Sequence, residues 1–127
     1  MNTTISPDSI APPASNYAHA IRTTGAESWL HTAGEVPVRP DGSVPDDLAE
    51  QAAVVWTNLL AILGEAGMVA ADVVSMTTYV VAGEDLGTVM TARDRALDGH
   101  RAASTLVTVP ALARPEWRME ISLVAAR

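Results

Sequence analysis

The sequence predicts an α/β protein, a two-layer sandwich with two helices on one face of a mixed sheet. Three observations carry this. Asp72 to Val81 is a β-branched and aromatic run with Val74, Met76, Thr78 and Val80 on one face. Arg118 to Ala125 alternates, with Met119, Ile121 and Leu123 on one side and Arg118, Glu120, Ser122 and Val124 on the other. Two segments with helical apolar spacing separate the strand-like runs.

In chain order, residues 1–15 carry Pro7, Pro12 and Pro13 among small polar residues and read as irregular. Tyr17 to Thr23 and Ser28 to Ala33 flank the turn Thr24-Gly25-Ala26-Glu27, which predicts a hairpin. Pro37, Pro40, Gly42 and Pro45 mark a loop. Asp47 with Glu50 three residues on is a capping-box pattern with aspartate in place of the usual hydroxyl. The helix it opens has Leu48, Ala52, Val55, Leu59 and Ile62 at helical spacing and stops at Gly67. A second helix runs from about Leu86 to Leu97 with Leu86, Val89, Met90, Arg93 and Leu97 on one stripe, and Asp98-Gly99-His100 ends it. Ser104 to Val109 is a strand, Pro110 to Pro115 a loop, and Trp117 to Ala125 the last strand. The sheet face away from the helices would carry Tyr79 and Thr77; a second subunit is expected to cover it.

Composition narrows the function. The 127 residues are 48% hydrophobic and make one domain, 1–127. With no cysteine there is neither a disulfide framework nor a thiol nucleophile. A net charge of -7 with scattered basic residues argues against nucleic-acid partners. No secretory signal and no apolar run long enough for a bilayer is present, so a cytoplasmic protein without a membrane partner is expected. His19, His31 and His100 lack metal-ligand spacing, so no metal site is expected. There is no glycine-rich phosphate loop and no Gly-x-Ser-x-Gly elbow. Ser104 and Thr105 read as ordinary strand residues. Gln51 and Asn58, seven residues apart on one side of the first helix, read as amides that fix a loop or strand edge by hydrogen bonds.

Glu120 is the candidate for chemistry. An ionised carboxylate withdrawn from water is costly unless paired or hydrogen-bonded. Glu120 is therefore expected to line a pocket or interface, or to have a cation beside it. Its structural reading is an interfacial carboxylate paired with Arg118 or Arg101. Its functional reading is a general acid/base.

The motifs together resemble the RidA family, also called YjgF or the enamine/imine deaminases, from about Tyr17 to Ala125. Tyr17-Ala18-His19-Ala20 matches the opening strand, and Ala33-Gly34-Glu35 the Ser-Gly-Gln turn. Gln51 and Asn58-Leu59 match the first helix, Ala66-Gly67 with Asp72-Val73-Val74 the step into the central strand, and Glu120-Ile121 with Ala125 the closing pattern. The resemblance implies a chorismate-mutase-like fold, a homotrimer with pockets between subunits, and hydrolysis of reactive 2-imino or enamine acids without metal or organic cofactor. It implies an arginine that binds the substrate carboxylate and a glutamate, here Glu120, that activates water.

Arg101-Ala102-Ala103-Ser104-Thr105-Leu106 stands where the family has Pro-Ala-Arg-Ser-Thr-Val, so the carboxylate-binding arginine is Ala103. Met90 stands for an asparagine and Ala33 for a serine, while Tyr17, Gly34 and Glu120 are retained. Losing a charge-assisted bond to a substrate carboxylate in a dry site costs on the order of 2–4 kcal/mol. Standard 2-imino acid hydrolysis is therefore expected to be weak. Arg101, two residues before Ala103, would point the same way on a continuous strand, roughly 7 Å further along. It reads as a rim or interface charge, or as a replacement anion binder. Two functions stay open: a divergent imine or enamine hydrolase acting in an intersubunit cleft with Glu120 as acid/base, and a non-catalytic trimer binding a small metabolite. A ribonuclease reading meets the adverse charge.

Overall fold

A computed structural model describes residues 1–127. A four-stranded sheet carries both helices on one face, with strands in the order β3-β6-β4-β5. These are β3 (Trp29–His31), β4 (Val73–Val81), β5 (Ala103–Val109) and β6 (Met119–Ala126), with α1 (Leu48–Glu65) and α2 (Leu86–Leu97) connecting. β6 is antiparallel to both neighbours, and β4 and β5 run parallel across the α2 crossover. This is the expected α/β sandwich.

Local chemistry sets the helix limits. The Asp47 carboxylate accepts the Glu50 N–H at 3.1 Å, and the Asp85 carboxylate accepts the Gly87 N–H at 3.1 Å and the Thr88 hydroxyl at 2.8 Å. Gly67, at φ +70°, ends α1 in a left-handed turn. Its N–H reaches the Gly64 carbonyl at 3.0 Å, and the Met68 N–H reaches that of Leu63 at 2.8 Å, which is a Schellman closure. Asp98 and Gly99, both at positive φ, end α2.

The core lies between the layers. α1 contributes Leu48, Ala52, Val55, Trp56, Leu59 and Leu63, and β6 contributes Met119, Ile121, Leu123 and Ala125. Leu63 closes the α1 stripe where the spacing predicts Ile62, because steps of three and four residues from Leu59 both come near the inner face and Leu63 lies deeper.

Two expectations fail at the N-terminus. Asn2–Ile5 is not irregular but a strand, β1, antiparallel to β2 (Ala20–Thr23). The predicted hairpin between 17–23 and 28–33 does not form. Gly25 does turn the chain at φ +64°, but β2 takes β1 as partner and β3 takes β6. The Glu27 and Ser28 N–H groups both reach the Arg127 carbonyl, at 2.8 and 3.0 Å, and steer the chain onto β6. Partners from the two chain ends thus displace the local one.

Gln51 pins loops to α1. Its Nε2 donates to the Pro45 and Glu116 carbonyls, both at 2.8 Å, and its Oε1 accepts the Arg118 N–H at 3.0 Å. Asn58 donates to the Val38 carbonyl at 3.1 Å. Both amides act as their spacing predicts. Gln51→Leu leaves three backbone groups without partners in a site only 1% exposed. It should lower unfolding stability by about 2–4 kcal/mol, against about 1 kcal/mol for Asn58→Leu, read from urea midpoints at unchanged slope.

Candidate functional site

β6 alternates between the core and an uncovered face. Met119, Ile121 and Leu123 turn to the helices, and Glu120, Ser122 and Val124 turn away. In register beside them on β4 stand Tyr79, Thr77 and Ser75, and on β5 Val107, Thr105 and Ala103. β3 adds Trp29, 54% exposed, opposite in direction to the inward Leu30. Val107 is 40% exposed on the same surface.

Glu120 is half-buried and lies directly opposite Tyr79. Its carboxylate rests on the backbone of Gly34: a Cβ built there would meet Oε2 at 2.2 Å and Cδ at 2.7 Å. The strap carrying Gly34 is held against β6 by reciprocal bonds, Glu35 N–H to the Ile121 carbonyl at 2.7 Å and Ile121 N–H to the Glu35 carbonyl at 3.1 Å. A hydrogen at position 34 is thus a condition for the observed place of the carboxylate. Ala33 is exposed beside it.

The remaining predicted residues form a second group. Tyr17 precedes Ala18, which lies buried and bridges in parallel to Ala103. The Tyr17 ring meets His19 edge-on at 6.2 Å. Met90 of α2 reaches this segment through Ser15, at 3.9 Å from Sδ to Oγ. Arg101 reaches it through Asn16, at 3.2 Å. Thr105 lies exposed on β5. In one chain the two groups stay apart. Glu120 belongs to the Tyr79 register and Ala103 to the Ser75 register, two strands over. That is about 13 Å along the strands and about 10 Å across them.

No cation reaches Glu120, and it makes neither an ion pair nor a hydrogen bond in the chain. The two arginines expected beside it are engaged elsewhere. Arg118 pairs with Glu84 at 3.1 Å and donates to the Asp46 carbonyl. Arg101 is exposed and precedes β5, which begins at Ala103, so the continuous strand that would align it with Ala103 is absent. All eight basic residues are arginines. Arg39 pairs with Glu50, Arg93 with Asp94, Arg114 stacks on Trp117, and Arg127 donates to the Gly67 carbonyl. Arg22 is exposed on β2, and Arg95 lines a groove of about 660 Å³ between α1 and α2 that none of the predicted site residues borders. No three His, Asp or Glu side chains converge in a metal-binding cluster. The one carboxyl held clearly below its ordinary range is Asp41, through hydrogen bonds from the Ser43 hydroxyl and N–H, in a surface turn away from this face.

Two participants escape a sequence reading. Tyr79 neighbours Glu120 only through strand register. Arg93, 5% exposed, donates to Asp94 at 2.9 Å and to the Ser15 hydroxyl at 3.1 Å, anchoring the segment before Tyr17. Its place on the inner stripe of α2 is the one signal the sequence offers.

The sequence model of the Endoribonuclease L-PSP family matches residues 8–127. The chain belongs to this family, the RidA/YjgF proteins. Among curated relatives, it is 33% identical over 104 residues to the 2-iminobutanoate/2-iminopropanoate deaminase of Escherichia coli, covering 79% of this chain and 80% of the relative. Among solved structures, the Rid-family protein YyfB of Yersinia pestis aligns over 99% of this chain and 98% of its own, with TM-score 0.87 and 30% identity. Escherichia coli TdcF with bound serine aligns over 98% of both chains with TM-score 0.73 and 25% identity. No helix of this RidA-family chain is long and apolar enough to cross a membrane.

Gly34→Ala tests the contact that seats Glu120. The clash falls on the end of a flexible side chain, so stability should change by less than about 1 kcal/mol. The carbon-13 resonance of the Glu120 carboxyl should nonetheless move, while those of Glu50 and Glu116 stay in place.

Proposed function

We propose that this RidA-family chain is a divergent imine or enamine hydrolase, with Glu120 as the acid/base that handles water in a cleft between subunits of a homotrimer. The observation that carries the reading is the unpartnered Glu120 carboxylate, seated on Gly34 and facing outward from a sheet surface that no helix covers. A carboxylate free of internal partners can accept a proton from water. The separation of Glu120 and Gly34 from Tyr17, Met90 and Ala103 within one chain supports a joint site: a second copy could bring the second group opposite the first. Exposed Trp29 and Val107 suit an interface. The deaminase name of the relative from Escherichia coli supports the reaction type.

Mechanistically, a small imine would lie between the two groups. Tyr17, Thr105 and Met90 would enclose it, and Glu120 would draw a proton from water as the oxygen attacks the imine carbon. The same carboxyl would return the proton to nitrogen, and ammonia would leave with the carbonyl product. The family arginine is absent at Ala103, and Arg101 precedes the strand and is held by Asn16, so a substrate carboxylate lacks its usual clamp.

The apolar residues at Ala33, Met90 and Ala103 favour a second reading, a trimer that binds a small metabolite without altering it. Stabilisation by a bound metabolite that survives Glu120→Gln, with the ligand recovered unchanged, would select that reading. The dispersed arginines and the charge of -7 oppose the nuclease in the family description.

Chains of 13.3 kDa should sediment as a trimer near 40 kDa. Ammonia release from freshly generated 2-aminoacrylate should run near background in the wild type. It should rise about thirtyfold or more in Ala103→Arg, in line with the roughly 2–4 kcal/mol of a charge-assisted hydrogen bond, and vanish again in Ala103→Arg with Glu120→Gln. A wild-type chain that turns over 2-aminoacrylate briskly, or one that stays monomeric at all concentrations, would refute it.

A further inference from the structure

We infer that the Glu120 site selects a cationic substrate without a carboxylate: an iminium ion derived from an amine rather than from an amino acid. This rests on the hydrolase reading above and adds the charge class of the substrate.

No guanidinium of the chain is paired with Glu120. Six of the eight guanidinium groups are held by Glu50, Asp94, Asn16, Trp117, Glu84 with Asp46, and the Gly67 carbonyl. The remaining two sit exposed on β2 and in the groove between the helices. The residues around the carboxylate are Gly34, Ala33, Tyr79 and Ser122, and the second group adds Tyr17, Met90, Ala103 and Thr105. None of these carries a positive charge, and Arg101, the one arginine of the second group, is turned onto the Asn16 amide. The site therefore holds one negative charge, uncompensated and half-buried. A carboxylate-bearing substrate would set a second negative charge near the first with nothing to bind it, which is the arrangement that excludes a ligand. An iminium ion would instead supply the missing cation and pair with Glu120 at the position that reacts.

The chemistry balances with water alone. The water oxygen forms a bond to the iminium carbon while one of its protons passes to the Glu120 carboxylate. The C=N π pair moves to nitrogen and gives a neutral carbinolamine. Glu120 returns the proton to nitrogen. The C–N bond then breaks as the hydroxyl oxygen forms the carbonyl, the hydroxyl proton returns through Glu120, and ammonium leaves.

The test compares two imines made in place: the benzaldimine that an amine oxidase makes from benzylamine, and the 2-imino acid that an amino acid oxidase makes from phenylalanine. Wild-type protein should speed ammonia release from the benzaldimine at least about tenfold more than from the imino acid, a ratio of the size one unbalanced charge contact sets. Ala103→Arg should reverse that order, and Glu120→Gln, still folded by thermal melt, should abolish the benzaldimine reaction. Equal or faster hydrolysis of the imino acid by the wild type would overturn the inference and leave the hydrolase reading standing. Calorimetry separates the remaining cases. If neither imine is hydrolysed but benzylammonium binds and Glu120→Gln abolishes binding, the charge selection stands and the hydrolase reading falls. If neither is hydrolysed and benzylammonium binds no better than benzoate, both fall.

Discussion

The position of β6 between β3 and β4 governs this molecule. Backbone pairing on both edges leaves that strand no freedom of register, and a strand's side chains alternate strictly. Met119, Ile121 and Leu123 are buried at 0–2% exposure, which drives the strand into place. The same alternation forces Glu120 to the opposite surface. The hydrophobic effect thus orients a carboxylate it does not touch. Because Ile121 also exchanges two hydrogen bonds with Glu35, the strap bearing Gly34 is tied to the strand that carries the acid.

Much of this architecture is written in local patterns. The inner stripes of α1 and α2, the alternation of β4 and β6 and the capping role of Asp47 follow from spacing that each segment carries by itself. The Gln51 and Asn58 amides could also be assigned a role, although their partners could not be named. What stayed hidden depends on residues distant in sequence. Asn2–Ile5 looks irregular because three polar residues and one isoleucine form a strand only when β2 offers an edge. Turn chemistry at Gly25 suggested a hairpin, yet the carbonyl of Arg127 captures β3 for β6.

The candidate site divides in the same way. Alternation exposes Glu120, and family resemblance gives Gly34 its meaning, while the 2.2 Å approach of a Cβ to the carboxylate is purely three-dimensional. Arg101 lies before β5, so the strand alignment that would set it beside Ala103 does not form, and it sits exposed as a rim charge would. The ordering of Ser15 and Asn16 by Arg93, Asp94 and Arg101 joins α2, the Tyr17 segment and the approach to β5, three stretches that no local pattern links. Charge at this surface is therefore a property of the assembled fold, with every nearby guanidinium committed to another partner.

The Gln51 amide has a dynamic consequence as well. The Arg118 N–H at the entrance to β6 donates to a side chain that α1 holds in the core, so local fraying of the strand cannot release it. Deuterium reaches that amide only when helix and sheet separate. Its exchange should be among the slowest in the chain and should report the opening of the whole domain, although it lies next to a loop.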